Sequence, residues 1–247
     1  MYDAMIAETI TITGHGGDAI EAYSARPLTP GPLGGVVVIH HLPGYDASTK
    51  EMVRRLAAEG FNAVCPNLFS REAPGAAPDD ASATVRALGG VPDERLVGDV
   101  AGAAAYLRAL SSANGRVGVI GHCSGGRQAF LAATHLELQA AVDCYGAFVT
   151  GTPPEGFPVQ VEPIGHRVKD LSCPLLGLFG AEDKYPSPEA VAELEDLLKA
   201  AGKEYEIHSY QGAGHAFFAV DRPSYRPEAA TEGWARILDF YRRHLGA

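Results

Sequence analysis

The sequence predicts an α/β protein built on a mostly parallel, doubly wound sheet with an antiparallel start. Three observations carry this prediction. Two alternating apolar–polar segments open the chain. Short β-branched runs follow them. Amphipathic stretches of helical period separate those runs. The 247 residues suit a single domain, 1–247, with no internal repeat and no linker.

In chain order, Ile6 to Thr13 and Ala19 to Ala25 alternate, and Gly14-His15-Gly16-Gly17-Asp18 lies between them, which is a hairpin signal. Gly34 to His40 is a continuous β-branched run, suited to a strand covered on both faces. Phe61 to Cys65, Arg116 to Ile120, Ala140 to Tyr145 and Leu175 to Phe179 are runs of the same kind, and Tyr205 to Tyr210 is a weaker one. Helices are expected between them. Ser48 to Glu59 carries Met52, Val53 and Leu56 on one face, and Asp93 to Leu110 spaces Leu96, Val100, Ala103 and Leu107 by three and four. Gly126 to Leu136, Pro188 to Ala201 and Pro227 to Leu245 complete the series, the last with Trp234, Ile237, Leu238 and Tyr241 on one stripe. The irregular stretch Gly146 to Ser172 is long for a compact domain, and such loops often cover a site.

Composition narrows the function classes. Twenty Lys and Arg against thirty Asp and Glu give −10, so no general basic field exists to hold nucleic acid. No apolar run approaches the roughly 18 residues that span a bilayer, and the first residues carry acids where a leader needs positive charge. A cytoplasmic protein with no membrane partner is expected. The four cysteines form no Cys-x-x-Cys pair, which argues against a zinc knuckle or a thioredoxin-type site.

The sharpest chemical signal is Gly121-His122-Cys123-Ser124-Gly125-Gly126, between a predicted strand and a predicted helix. Gly-x-nucleophile-x-Gly in that context is a nucleophile elbow, a strained turn whose flanking backbones pass too close for side chains. Centred on Cys123, the flanking positions are Gly121 and Gly125; centred on Ser124, one would be the large His122. The frame selects Cys123. The glycine spacing does not match a dinucleotide loop. A thiol nucleophile needs a base, and His215, in the Gly-rich segment after the last predicted strand, is the candidate. An acid should follow the preceding strand; Asp183 is preferred, with Glu182 as the alternative. The order nucleophile, acid, histidine is that of α/β-hydrolases. The N–H groups of Leu42 and Ser124 are the expected oxyanion hole. His40 and His41 are adjacent, point apart on an extended chain and have no third ligand nearby, so no metal is expected.

These motifs resemble the dienelactone hydrolases, or carboxymethylenebutenolidases, of the α/β-hydrolase superfamily. The resemblance runs from about Ile6 to Leu245 and rests on GHCSGG, LGLFGAEDKYPSP, GAGHAFF and the closing RPSYRPEAATEGWARILDFYRRHL. It implies an α/β-hydrolase fold and a Cys123–His215–Asp183 triad that hydrolyses a small lactone or ester through a thioacyl enzyme, without a cofactor. Two positions depart from the pattern. Studied members carry Glu where this chain has His41. They also carry an Arg, which grips the substrate carboxylate, where it has Ala219. Arg71 and Arg86 are candidate replacement cations, and His41, Tyr145, Arg86 and Phe217 are the expected substrate-binding residues. The chain is expected to act on a small-molecule lactone or ester as a monomer or homodimer. A general carboxylesterase or thioesterase, and a ligand-sensing α/β-hydrolase with little turnover, are the rival readings.

Overall fold

A computed structural model describes residues 4–246. The N-terminal Met-Tyr-Asp, part of the segment read as too acidic for a leader, lies outside them. The antiparallel start is formed by β1 (Met5–Thr13) and β2 (Ala19–Pro27), paired from Met5–Pro27 to Thr13–Ala19. Six parallel strands follow: β3 (Leu33–Ile39), β4 (Asn62–Pro66), β5 (Ala113–His122), β6 (Ala140–Cys144), β7 (Leu175–Gly180) and β8 (Tyr205–Tyr210). Their order in the sheet is β1-β2-β4-β3-β5-β6-β7-β8.

Side chains alternate along each strand, so a sheet buried on both faces feeds two cores. Val37, Ile39, Val119 and Phe179 join one core, with Leu96, Val100, Ala129 and Leu194 from covering helices. Val36, Val38, Ile120 and Leu178 join the other, against Val53, Leu56, Trp234 and Ile237. The helices are α1 (Ala47–Ala58), α2 (Pro78–Ala87), α3 (Asp93–Ala109), α4 (Ser124–Ala133), α5 (Pro188–Ala200) and α6 (Pro227–Leu245).

Helix α2 has no counterpart among the helices expected from the sequence. Its signals were present: Pro78 in the first turn and Asp79 and Asp80 beside it, where proline and acids favour a helix start. The expected helix Gly126 to Leu136 is shifted, because α4 starts at Ser124, directly after the elbow, and ends at Ala133. Strand β5 also runs past Ile120 to His122. Among the described residues no helix is long and apolar enough to cross a membrane.

Candidate active site

The parallel strands all end on one edge of the sheet, and ligands of such sheets bind outside those carboxyl ends. Strand β3 leads into His41 and Leu42, β5 into Cys123, β6 into Tyr145, β7 into Asp183 and β8 into His215. Register brings these ends level, with Ile39 beside Gly121 and His122 beside Cys144.

The turn at Cys123 is strained: its φ is 58° and its ψ −124°, a conformation costly for a residue with a Cβ. Its N–H is tied to the Cys144 carbonyl at 3.0 Å. The flanking glycines are obligatory. A Cβ on Gly121 would lie 1.9 Å from the Gly125 carbonyl oxygen, and one on Gly125 would lie 2.3 Å from that of Ile39. The close approach read from the sequence is therefore present at both positions, with Cys123 at the apex.

Helix α4 begins at Ser124, so its first N–H groups have no partner within the helix. Among the described residues neither the Ser124 nor the Leu42 N–H has a protein hydrogen-bond partner.

His215 meets Asp183 rather than Glu182. The imidazole Nδ1–H donates to Asp183 Oδ2 at 2.8 Å, while Asp183 Oδ1 accepts the Tyr185 N–H at 2.9 Å. Asp183 is buried and Glu182 is exposed. Two bonds clamp their loop against the His215 loop: Ala181 N–H to the Tyr210 carbonyl and Glu182 N–H to the Ala213 carbonyl. Burial opposes the imidazolium, but hydrogen bonding to Asp183 and to Cys123 outweighs it and raises His215 from 6.5 to about 10.

A cavity of about 60 Å³ opens at Cys123 and His215. His41, Leu42 and Tyr145 are among the residues that line it. His40 and His41 have separated roles. His40 is buried, its Nδ1–H donating to the His41 carbonyl and its Nε2 accepting from the Leu68 N–H. Burial lowers its pKa to about 4, so it is a neutral structural link. His41 faces the cavity with Nε2 3.3 Å from Asp46 Oδ2. Burial alone would raise Asp46, but its bonds to His41 and to the Thr49 N–H hold it down to about 2. Among the described residues no group of three or more His, Cys, Asp or Glu is arranged to hold a metal ion.

Two expectations are corrected. Phe217 does not line the cavity; it is fully buried in the core, stacked on Phe218 at 4.6 Å and packed on Tyr145 and Tyr210. Arg86 lies in α2, is exposed and is not among the residues that line the cavity, because the buried side chains of α2 are Ala81, Ser82 and Val85. Arg71 is also engaged elsewhere, in two bonds to buried Asp99 at 2.8 and 2.9 Å and one to Asp18 at 2.7 Å. The cation that does line the cavity is Arg222, beside Ala219 and Asp221. Neither Arg222 nor Asp46 is among the site residues expected from the sequence. Asp46 carried a readable signal, since an Asp three residues before Thr49 is a helix N-cap, and it accepts the Thr49 N–H at 2.7 Å.

Comparisons with known proteins place the chain in a family. The family model described as "Dienelactone hydrolase family" matches residues 20–245. The chain belongs to the dienelactone hydrolase family. It is 36% identical over 250 residues to an Escherichia coli K12 protein named "Putative carboxymethylenebutenolidase", covering 99% of this chain and 89% of that one. It is 32% identical to a Bradyrhizobium protein named "Probable 2-oxo-3-(5-oxofuran-2-ylidene)propanoate lactonase", over 98% of both chains. A crystal structure titled as a "Putative Dienelactone Hydrolase" from Klebsiella pneumoniae superposes with a TM-score of 0.86 at 31% identity, covering 98% of this chain and all of that one. As a dienelactone hydrolase family member with this fold, the chain is a hydrolase, and the α/β-hydrolase architecture is the one expected from its sequence.

Proposed function

We propose that the chain hydrolyses a small lactone or carboxylic ester by covalent catalysis at Cys123. The observation that carries this reading is the 2.8 Å bond between His215 and buried Asp183, at the foot of the strained turn that presents Cys123. Asp183 accepts from Nδ1–H, so Nε2 is the nitrogen that faces the Cys123 sulfur and holds the proton drawn from the thiol, in keeping with the raised pKa of His215. The Cys123 sulfur then attacks the substrate carbonyl carbon, and the carbonyl oxygen becomes an oxyanion. The unpartnered N–H groups of Leu42 and Ser124 are the donors that stabilise it.

Collapse of the tetrahedral intermediate breaks the acyl C–O bond. The leaving alkoxide takes the proton from Nε2, and a thioester on Cys123 remains. In a lactone that alkoxide stays tethered to the acyl group. Water then gives a proton to His215 and its oxygen to the acyl carbon, and the thiolate leaves and is reprotonated. One carboxylic acid and one hydroxyl group result.

The test combines kinetics with trapping. Lactones, carboxylic esters and thioesters are assayed with wild type and Cys123→Ala, and quenched reactions are examined by mass spectrometry for an acyl increment on the Cys123 peptide. Loss of roughly 10⁴–10⁶ in kcat is expected for Cys123→Ala, because a triad nucleophile is not replaced by its neighbours. Retention of more than about a tenth of wild-type activity would be far outside that range and would reject the assignment.

A further inference from the structure

A second opening also reaches Cys123 and His215. It is a groove of about 360 Å³, floored by those two residues and walled by Phe148, Phe157 and Tyr185. The Phe148 ring meets that of Phe157 edge-on at 4.9 Å and that of Tyr185 at 5.7 Å. Phe157 is 37% and Tyr185 43% exposed, and they are the only exposed aromatic side chains among the described residues. Isolated exposed apolar residues need no explanation, but two aromatic rings gathered on a third beside a nucleophile do. Phe148 has a φ of +63°, costly for a residue with a side chain, at the start of the long segment between β6 and β7. Phe157 comes from the same segment and Tyr185 from the loop that carries Asp183, so separate parts of the chain converge on one wall.

We infer that this groove is a subsite for a flat aromatic ring on the substrate. The inference rests on the proposed hydrolysis at Cys123 and deepens it. The two openings differ in chemistry. His41, Asp46, Asp221 and Arg222 stand among apolar residues in the cavity, whereas three aromatic rings stand beside Glu182, Asp183 and Lys184 in the groove. A carbonyl carbon at Cys123 therefore meets a cavity with a nearby arginine and a groove walled by aromatic rings. The matching substrate is an elongated ester or lactone whose aromatic substituent lies against Phe157 and Tyr185 in edge-to-face or offset contact. The groove remains open to solvent, so it sets no tight limit on the length of that substituent.

The test compares ethyl acetate with benzyl acetate, which carries a ring on the alcohol side, and with ethyl phenylacetate, which carries it on the acyl side. Neither ring is conjugated with the ester, so intrinsic reactivities stay close. The readout is the ratio of kcat/KM for each ring-bearing ester to that for ethyl acetate. Wild type should favour one of the two by about tenfold or more, the worth of one or two aromatic contacts, and the favoured ester identifies which side of the carbonyl enters the groove. Phe157→Ala should lower that ratio about tenfold, mainly through KM, and Phe157→Tyr should restore it. Its exposed position makes Phe157→Ala compatible with folding, which the melting temperature checks. Equal ratios in wild type, or a ratio untouched by Phe157→Ala and by Tyr185→Ala, would overturn the subsite. A failure of the hydrolytic reading would look different: turnover of all three esters would persist in Cys123→Ala.

Discussion

Asp183→Asn is isosteric, and its consequences follow from the two oxygens it replaces. Oδ1 accepts the Tyr185 N–H at 2.9 Å, and Oδ2 accepts the His215 Nδ1–H at 2.8 Å. The amide oxygen will keep the Tyr185 bond, since a backbone N–H can only donate. That places the amide NH₂ opposite Nδ1. Two donors cannot share the bond, so His215 adopts the other tautomer, with Nδ1 bare and the proton on Nε2. The nitrogen that should accept the Cys123 proton then already holds one. The substitution also removes the carboxylate that stabilises the imidazolium formed in each half-reaction. In a serine protease the same change costs about 10⁴ in kcat, close to 5.5 kcal/mol at 1.36 kcal/mol per tenfold. A thiol depends less on its base than a hydroxyl does, so a loss of roughly 10²–10⁴ in kcat is expected here, with little change in KM. The assay is steady-state hydrolysis of the best ester, alongside the rate of iodoacetamide capture of Cys123 at neutral pH, which should fall in parallel. Glu182→Gln is the control, because Glu182 is exposed and bonds neither His215 nor Cys123. The reasoning is refuted if Asp183→Asn keeps more than a tenth of wild-type kcat with an unchanged melting temperature, or if Glu182→Gln is the more damaging change.

Gly125→Ala should destabilise the protein and depress activity together, because its Cβ would sit 2.3 Å from the Ile39 carbonyl oxygen and 3.1 Å from that of His40, both backbone atoms. A cost of about 1–3 kcal/mol is expected for such overpacking. Thermal unfolding should then show a drop of roughly 2–4 °C per kcal/mol. Asp143 is fully buried beneath the elbow. Its Oδ1 accepts the Gly146 N–H at 2.7 Å, its Oδ2 has no partner among the described residues, and burial raises its pKa to about 7. A carboxyl raised on folding binds more protons in the native state between about pH 4 and 7, so its contribution is lost as the pH rises through that window. Asp143→Asn removes this dependence. Relative to wild type it should gain stability between pH 4 and 8, by up to about 4 kcal/mol for a shift of some three units; parallel denaturation curves at the two pH values would contradict the assignment.

The sequence by itself determined the sheet, the elbow and the chain order of the site. These are local properties. Strand and helix periodicity is written in neighbouring residues, and the demand for glycine on both sides of Cys123 comes from backbone atoms a few positions apart, such as the 1.9 Å approach at Gly121. Tertiary structure decided what depends on where separate segments return to each other. Asp183 and Glu182 are adjacent and chemically alike, and only the bonds from Ala181 and Glu182 to the β8 end turn Asp183 toward His215. Arg71 and Arg86 are the candidate cations in sequence, yet Asp99 and Asp18 take the first, the second is exposed on α2, and the turn after His215 brings Arg222 to the cavity instead. Phe217 lies two residues from His215 but points into the core, while Phe148 and Phe157 from one loop and Tyr185 from another form one wall. The reason is common to all of them: a side chain's role here depends on which distant backbone passes within a few ångströms of it, and no periodicity along the chain encodes that distance.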